Sequence, residues 1–171
     1  MACKAEFDNY LPHGDHCYKI MAWYEVFKHE GSSGPWSEAE LWCNEKGGTL
    51  ASFHSSDEVL AVLKNWYEYS AKRLWIGLHS HNDPVGLGPI WSWSDGSNMT
   101  DFDNWDKGYP AQEFTGRPQC GVLMHSGFWQ NMDCSPDAQA YDINFVCKAP
   151  KGMAHFHASS AIESERLILT E

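Results

Sequence analysis

The stretch Leu74-Trp75-Ile76-Gly77-Leu78 decides how this chain is read. It is a short apolar run without a charge, and it reads as a buried strand. Working outward, Cys120 to Met124 and Asn144 to Cys147 read as further strands. Ile90-Trp91-Ser92-Trp93 alternates with period two, and Phe128-Trp129-Gln130-Asn131-Met132 does so more weakly. Upstream of Leu74 the period changes. Ser37 followed by Glu40 forms a capping box, with Pro35 before it and Gly47-Gly48 as the stop. The helix between them carries Ala39, Leu41, Trp42 and Cys43. Ser55 followed by Glu58 opens a second helix, with Val59, Leu60, Leu63, Trp66 and Tyr67 as its apolar stripe. From Ser94 to Gln119 there is no periodicity, and an irregular segment of that length in a compact domain points to a binding surface.

The 171 residues suffice for one domain with a sizeable core. With 43% hydrophobic and 20% charged residues the composition is that of a globular chain. The formal net charge of −11 disfavours nucleic acid and anionic membranes, which need a basic patch, and permits a basic partner or a cation. The longest apolar runs, such as Val59 to Leu63, are far too short to cross a bilayer. Met1 to Cys17 holds no apolar core of signal-peptide length, so any leader is expected to lie outside this sequence.

Six cysteines, Cys3, Cys17, Cys43, Cys120, Cys134 and Cys147, allow fifteen pairings, so their number alone fixes nothing. No two form a C-x-x-C, which removes the simplest zinc-ribbon and thioredoxin readings. An even count in a compact chain favours disulfides and an oxidising compartment. The spacing suggests two short loops, Cys3 to Cys17 and Cys120 to Cys134, with Cys43 to Cys147 closing nearly the whole domain. On the chain-entropy model the long loop contributes about 4–5 kcal/mol and each short one about 3.

These residues together resemble the C-type lectin-like domains. Cys17-Tyr18 is similar to the family's entry strand, and Trp36-Ser37-Glu38-Ala39 to its first helix start. Cys43 with Gly48-Thr49-Leu50-Ala51-Ser52 resembles the helix end and turn, and Trp75-Ile76-Gly77-Leu78 the hallmark core strand. Trp91-Ser92-Trp93-Ser94-Asp95-Gly96, Asn104-Trp105, Cys120, Gly127, Trp129, Cys134 and Phe145-Val146-Cys147 follow in the family's order. The resemblance covers residues 3 to 149. It implies an α+β fold of two helices and two small antiparallel sheets with a long projecting loop, and the long-form pairing of three disulfides. The domain is placed at residues 1–149, with 150–171 as a C-terminal extension or linker. Ser160 with Glu163 and Leu167-Ile168-Leu169 offer that tail one short helix.

In sugar-binding members of that family one calcium ion is held by the long loop and the next strand. Calcium needs six to eight oxygen ligands, several of them carboxylates. The family's Glu-Pro-Asn or Gln-Pro-Asp triplet is matched here by Tyr109-Pro110-Ala111, where only the proline, usually cis in the family, remains. Pro118 stands where a further carboxylate is expected. The family's Trp-Asn-Asp reads Trp129-Gln130-Asn131, leaving two neutral amides. The usual calcium site is therefore expected to be lost and no metal is assigned. Another placement of the loop would bring Asp106, Gln112 or Glu113 forward as donors.

The resemblance and the residues together predict an extracellular recognition module, secreted or part of a receptor, that binds a protein ligand without calcium. The alternative is a lectin with a non-standard sugar site made of Trp105, Tyr109, Gln130 and Asn131. Asp95, Asp101, Asp103 and Asp106 form a carboxylate run, read chiefly as solvated loop residues. His79 with His81, and His155 with His157, have strand spacing for a shared zinc but lack an obvious third ligand. Trp91, Trp93, Trp105 and Trp129 read as core, with Trp105 the candidate for stacking on a sugar. Asn98-Met99-Thr100 is an N-glycosylation sequon in a turn-rich stretch. No Gly-x-Ser-x-Gly, Walker loop or His-Glu-x-x-His is present, and paired cysteines leave no nucleophile, so the chain is not expected to be an enzyme.

Overall fold

The structure is a computed structural model, and it describes residue 3 and residues 11–27, 34–66, 71–82, 88–99, 102–111, 117–136 and 142–152. Strand β1 (Leu11–His13) turns into β2 (His16–Met21), and a short helix α1 (Trp23–Phe27) follows. Helix α2 (Trp36–Glu45), strand β3 (Thr49–Leu50) and helix α3 (Ser56–Trp66) come next. The remaining strands are β4 (Arg73–Asn82), β5 (Pro89–Trp93), β6 (Gln119–Met124), β7 (Trp129–Asp133) and β8 (Ile143–Pro150). The α+β class and lectin-type architecture are as the resemblance implied. Two details differ from the two antiparallel sheets of that outline. The strands hydrogen-bond into one continuous set ordered β1-β2-β8-β4-β6-β7, with β3 on β8 and β5 on β4. The pair β4–β8 is parallel, and the others are antiparallel.

Period-two alternation splits the core into two layers. Trp75, Phe145 and Cys147 face Trp23, Ala39 and Cys43 of α1 and α2. Leu74, Ile76, Leu78 and Val146 face Val59, Val62 and Trp66 of α3, together with Tyr18, Trp93 and Trp129. β4 and β8 are buried on both sides, which is why Leu74–Leu78 reads as unbroken apolar sequence. Gly77 is needed there for close approach. A Cβ on it would stand 2.6 Å from the Leu50 carbonyl oxygen and 2.8 Å from Ser94 Oγ. That approach carries the bonds Gly77 N–H to Ala51 O (2.9 Å) and Ser94 N–H to Gly77 O (2.8 Å).

All three disulfides form: Cys3–Cys17, Cys43–Cys147 and Cys120–Cys134. The longest ties α2 to β8 across 104 residues.

The helices correct three local expectations. Helix α2 begins at Trp36 with Pro35 at its N-cap and no side-chain cap, so Ser37 does not cap it. Glu40 is turned inward instead. Its Oε2 accepts from Leu50 N–H (2.7 Å) and Ser94 Oγ (3.1 Å), joining the helix to β3 and to the residue after β5. In α3 the second box forms in a shifted version: Glu58 N–H donates to Ser55 Oγ (3.3 Å), and Glu58 Oε2 accepts from His54 N–H (2.6 Å). The buried stripe is Val59, Val62 and Trp66, and Leu60 is 47% exposed, as is Leu41 of α2 at 58%. Tyr67 and the tail beyond Gly152 lie outside the described residues. Helix α1, unread in the sequence, is placed by burial of Trp23 against Phe145 and by Trp23 N–H donating to Asn144 Oδ1 (2.9 Å).

Candidate functional site

The long loop is built onto the free edge of β7. Trp129 N–H donates to Asn104 O (2.9 Å), and Asp106 N–H donates to Trp129 O (2.8 Å), so Trp105 makes a parallel bridge with Trp129. Asn104 Nδ2 holds Gly127 O at 2.6 Å, fixing the β6–β7 turn to the same loop. Beneath lies an aromatic cluster with edge-on geometry. Trp129 meets Trp93 (centroids 5.2 Å apart), Phe102 (5.6 Å) and Trp105 (6.1 Å), while Trp105 meets Trp91 at 4.9 Å. Trp93 and Trp129 are buried and cannot stack on a ligand. Trp91 and Trp105 are half-buried and already spend a face or edge on each other.

Above the cluster, the loop closes on β7 through side-chain amides. Tyr109-Pro110 is cis, and Tyr109 N–H donates to Asp106 O (2.9 Å). Asn131 grips the residue after that proline at both ends. Its Oδ1 accepts from Ala111 N–H (2.5 Å), and its Nδ2 donates to Ala111 O (3.2 Å) and Gln119 Oε1 (3.2 Å). A donor and an acceptor on Ala111 fix which end of the amide is oxygen. Gln130 Nε2 donates to Asp106 Oδ2 (2.8 Å), whose other oxygen caps Lys107 N–H (2.8 Å). Gln130 and Asn131 thus close on the loop at Asp106 and Ala111, Tyr109 joins Asp106 through its backbone, and Trp105, the residue before Asp106, is half-buried like them. Ala111 is the last described residue before 117, so Gln112 and Glu113 lie outside the described residues.

Among the described residues, the carboxylate run does not converge. Asp95 Oδ2 accepts from Ser52 Oγ and its Oδ1 from Ser97 N–H (2.9 Å) and Oγ. Burial pushes the Asp95 carboxyl up, but the Ser52 and Ser97 donors and nearby Lys148 outweigh it, so its pKa lies below the usual value. Asp103 Oδ1 caps Trp105 N–H (3.2 Å), Asp106 serves Gln130, and Asp101 lies outside the described residues. His79 and His81 stand 6.4 Å apart by ring centroid. His79 lies against Trp36 (5.2 Å), and His81 Nδ1 is 3.4 Å from Ser92 Oγ. Among the described residues no three His, Cys, Asp or Glu side chains group to hold a metal ion, and His155 and His157 lie outside them.

Sequence reasoning missed a second polar centre, on β8. Lys148 is 5% exposed, and its Nζ donates to Ser52 O (3.0 Å), Ser52 Oγ (3.2 Å) and Glu58 Oε1 (3.3 Å). It also lies 5.6 Å from the Tyr18 ring centroid. Burial raises the Glu58 carboxyl, but the His54 amide and the Lys148 ammonium lower it further, and the net shift is downward. Burial and that carboxylate push the Tyr18 phenol far above its ordinary range. His16 is lowered by burial and then by Lys148. A cavity of about 390 Å³ adjoins this centre, lined by His16, Thr49, Asp95, Lys148 and Pro150 among others. One signal was available: a charge inside the otherwise apolar run Phe145-Val146-Cys147-Lys148-Ala149.

Three comparisons bear on this architecture. A family model described as the lectin C-type domain matches residues 32–149. The galactose-specific lectin nattectin of Thalassophryne nattereri is 33% identical over 71% of this chain and 69% of its own length. Lymphocyte antigen 75 of Mesocricetus auratus is 29% identical over 81% of this chain, which spans only 7% of that much longer protein. Among solved structures, a calcium-independent type II antifreeze protein superposes with a TM-score of 0.62 at 25% identity, covering 87% of this chain and 95% of its own.

Proposed function

The chain belongs to the C-type lectin domain family, and we propose that it is an extracellular recognition module whose long-loop surface binds a protein ligand without calcium. The observation that carries this reading is the closure of Asn131 on Ala111. The amide standing where sugar-binding members place a metal-binding side chain has its oxygen and both donors used inside the loop. Gln130 is likewise engaged by Asp106. A calcium ion there would compete with Ala111 N–H for the Asn131 oxygen and would find Asp106 as the adjacent charge. What remains at the surface is a half-buried, preformed patch of Tyr109, Gln130 and Trp105, a composition suited to a protein partner. Three disulfides fit work outside the reducing cytosol. No helix among the described residues is long and apolar enough to cross a membrane.

The test is thermal unfolding of the oxidised domain with and without millimolar calcium. The expected midpoint is unchanged. An ion at a hundredfold excess over its Kd adds about 2.7 kcal/mol to a native state that binds it, so a rise of several degrees would overturn the calcium-free reading.

The resemblance to nattectin, a lectin named for galactose specificity, supports a second reading. Here Trp105, Tyr109, Gln130 and Asn131 form a sugar site of amides and an aromatic ring. Galactoside binding that persists in chelator and disappears in Asn131→Ala decides for it, and no binding on a glycan array decides against it.

A further inference from the structure

Asn98-Met99-Thr100 is the single Asn-x-Ser/Thr triplet in the chain, although eight asparagines are present. The structure presents its first residue in a defined way. After β5 ends at Trp93, the chain reverses in a turn closed by Gly96 N–H to Trp93 O (3.0 Å), with Gly96 at φ 76°, a value that favours glycine. The Asp95 carboxylate then caps Ser97 N–H (2.9 Å), and Ser97 Oγ lies 2.9 Å from His54 Nε2 in the loop before α3. The turn is therefore anchored at two points immediately before Asn98. On the other side Met99 is half-buried and packs against the core cluster that contains Phe53, Trp93 and Trp129. With Met99 packed against the core and Ser97 tied to His54, Asn98 is left exposed between them.

We infer that Asn98 is a glycosylation site carrying one N-linked oligosaccharide. The exposed side chain is accessible from solvent, and a chain with three disulfides fits the compartment where the transfer occurs. In the transfer, Asn98 Nδ2 forms a bond to C1 of the first sugar of a polyprenyl-diphosphate-linked oligosaccharide. The C1–O bond to the diphosphate breaks, the polyprenyl diphosphate departs with that electron pair, and the amide nitrogen loses one proton. The product keeps one N–H on Asn98. The oligosaccharide is then rooted beside Asp95, Ser97 and His54. Asp95 also lines the cavity next to Lys148, so the glycan keeps large partners off that rim.

The experiment is expression of the full chain through the secretory pathway of an animal cell line, with and without an amidase that cleaves N-glycans. Wild-type protein is expected to lose one oligosaccharide on amidase treatment, and peptide mapping reads Asp at position 98 afterwards. Asn98→Gln and Thr100→Ala should each abolish the mass shift, while Thr100→Ser retains it. If Asn98→Gln is secreted poorly, Thr100→Ala and the wild-type peptide map still read occupancy. Secreted wild-type protein with unmodified Asn98 and no amidase shift overturns the inference.

Discussion

Lys148→Met removes the ammonium from the β8 centre while keeping an apolar stem of similar length. Lys148 and Glu58 are both largely buried, with side chains 5% and 14% exposed, so solvent screening of the pair is weak. Removing one member of such a pair leaves the other charge buried without its partner, at a cost of about 3–5 kcal/mol. Here the loss also frees Ser52 O and Oγ of their donor. For a domain of this size each kcal/mol lowers Tm by about 2–4 °C, giving a fall of about 6–20 °C at pH 7. The pH dependence carries the mechanism. Glu58 has a depressed pKa in the folded wild type, so its contribution is complete above the unfolded carboxyl pKa of about 4.3 and fades as pH falls through the folded value. In the variant, burial acts on Glu58 without the ammonium, and the carboxyl protonates more readily. The gap between variant and wild type should therefore be widest near neutrality and narrow as pH falls below about 5. A Glu58→Met, Lys148→Met double variant should regain much of the loss, because neither charge remains buried alone. Urea unfolding with disulfides intact, repeated across pH, reads all three outcomes. A Lys148→Met protein within about 1 kcal/mol of wild type at pH 7 would refute the reasoning.

Three further outcomes follow from contacts already described. Gly77→Ala drives a Cβ into the Leu50 carbonyl and should cost about 1–3 kcal/mol by overpacking, read as a lower urea midpoint with an unchanged slope. Asn131→Ala leaves Ala111 without its side-chain partners. It should cost about 1–3 kcal/mol, with amide exchange at Ala111 accelerated and little change in the core. Replacing Cys43 and Cys147 together by Ala should cost about 4–5 kcal/mol on the chain-entropy model, well above the loss for the Cys120–Cys134 pair in the same denaturation assay.

What the sequence showed followed the strength of local periodicity. β4 was visible because burial on both faces leaves an uninterrupted apolar run, and the disulfide pairing because the family resemblance implied it where cysteine spacing only suggested it. Cap chemistry was half visible. At Ser55 and Glu58 the local partners are used almost as read, whereas Glu40 was claimed by Leu50 and Ser94, the latter 54 residues away, a contact no local pattern encodes. Helix α1 stayed hidden because five residues give too little periodicity, and its position comes from Trp23 packing on Phe145. At the site, the residue types were legible and their mutual closure was not. The sequence presented Gln130 and Asn131 as two open amides, and only the docking of the loop on β7 brings Ala111 and Asp106 within reach of them.

The ladder between β2 and β8 has a mechanical consequence. His16 faces Pro150 and Lys151 N–H bonds Asp15 O, so the start of β2 and the end of β8 lie side by side. A pull on the two ends would reach β2 at Cys17, through its bridge to Cys3, and would open the ladder like a zipper, one pair at a time from Cys17 and Ala149, instead of shearing it. On the β8 side peeling halts at Cys147, which is bonded to Cys43. From there the load path runs directly through the sulfur bridge and bypasses every residue between the two cysteines. The docked loop, β6 and β7 all lie inside that bypassed stretch, so a ligand held there would feel no tension from a taut chain.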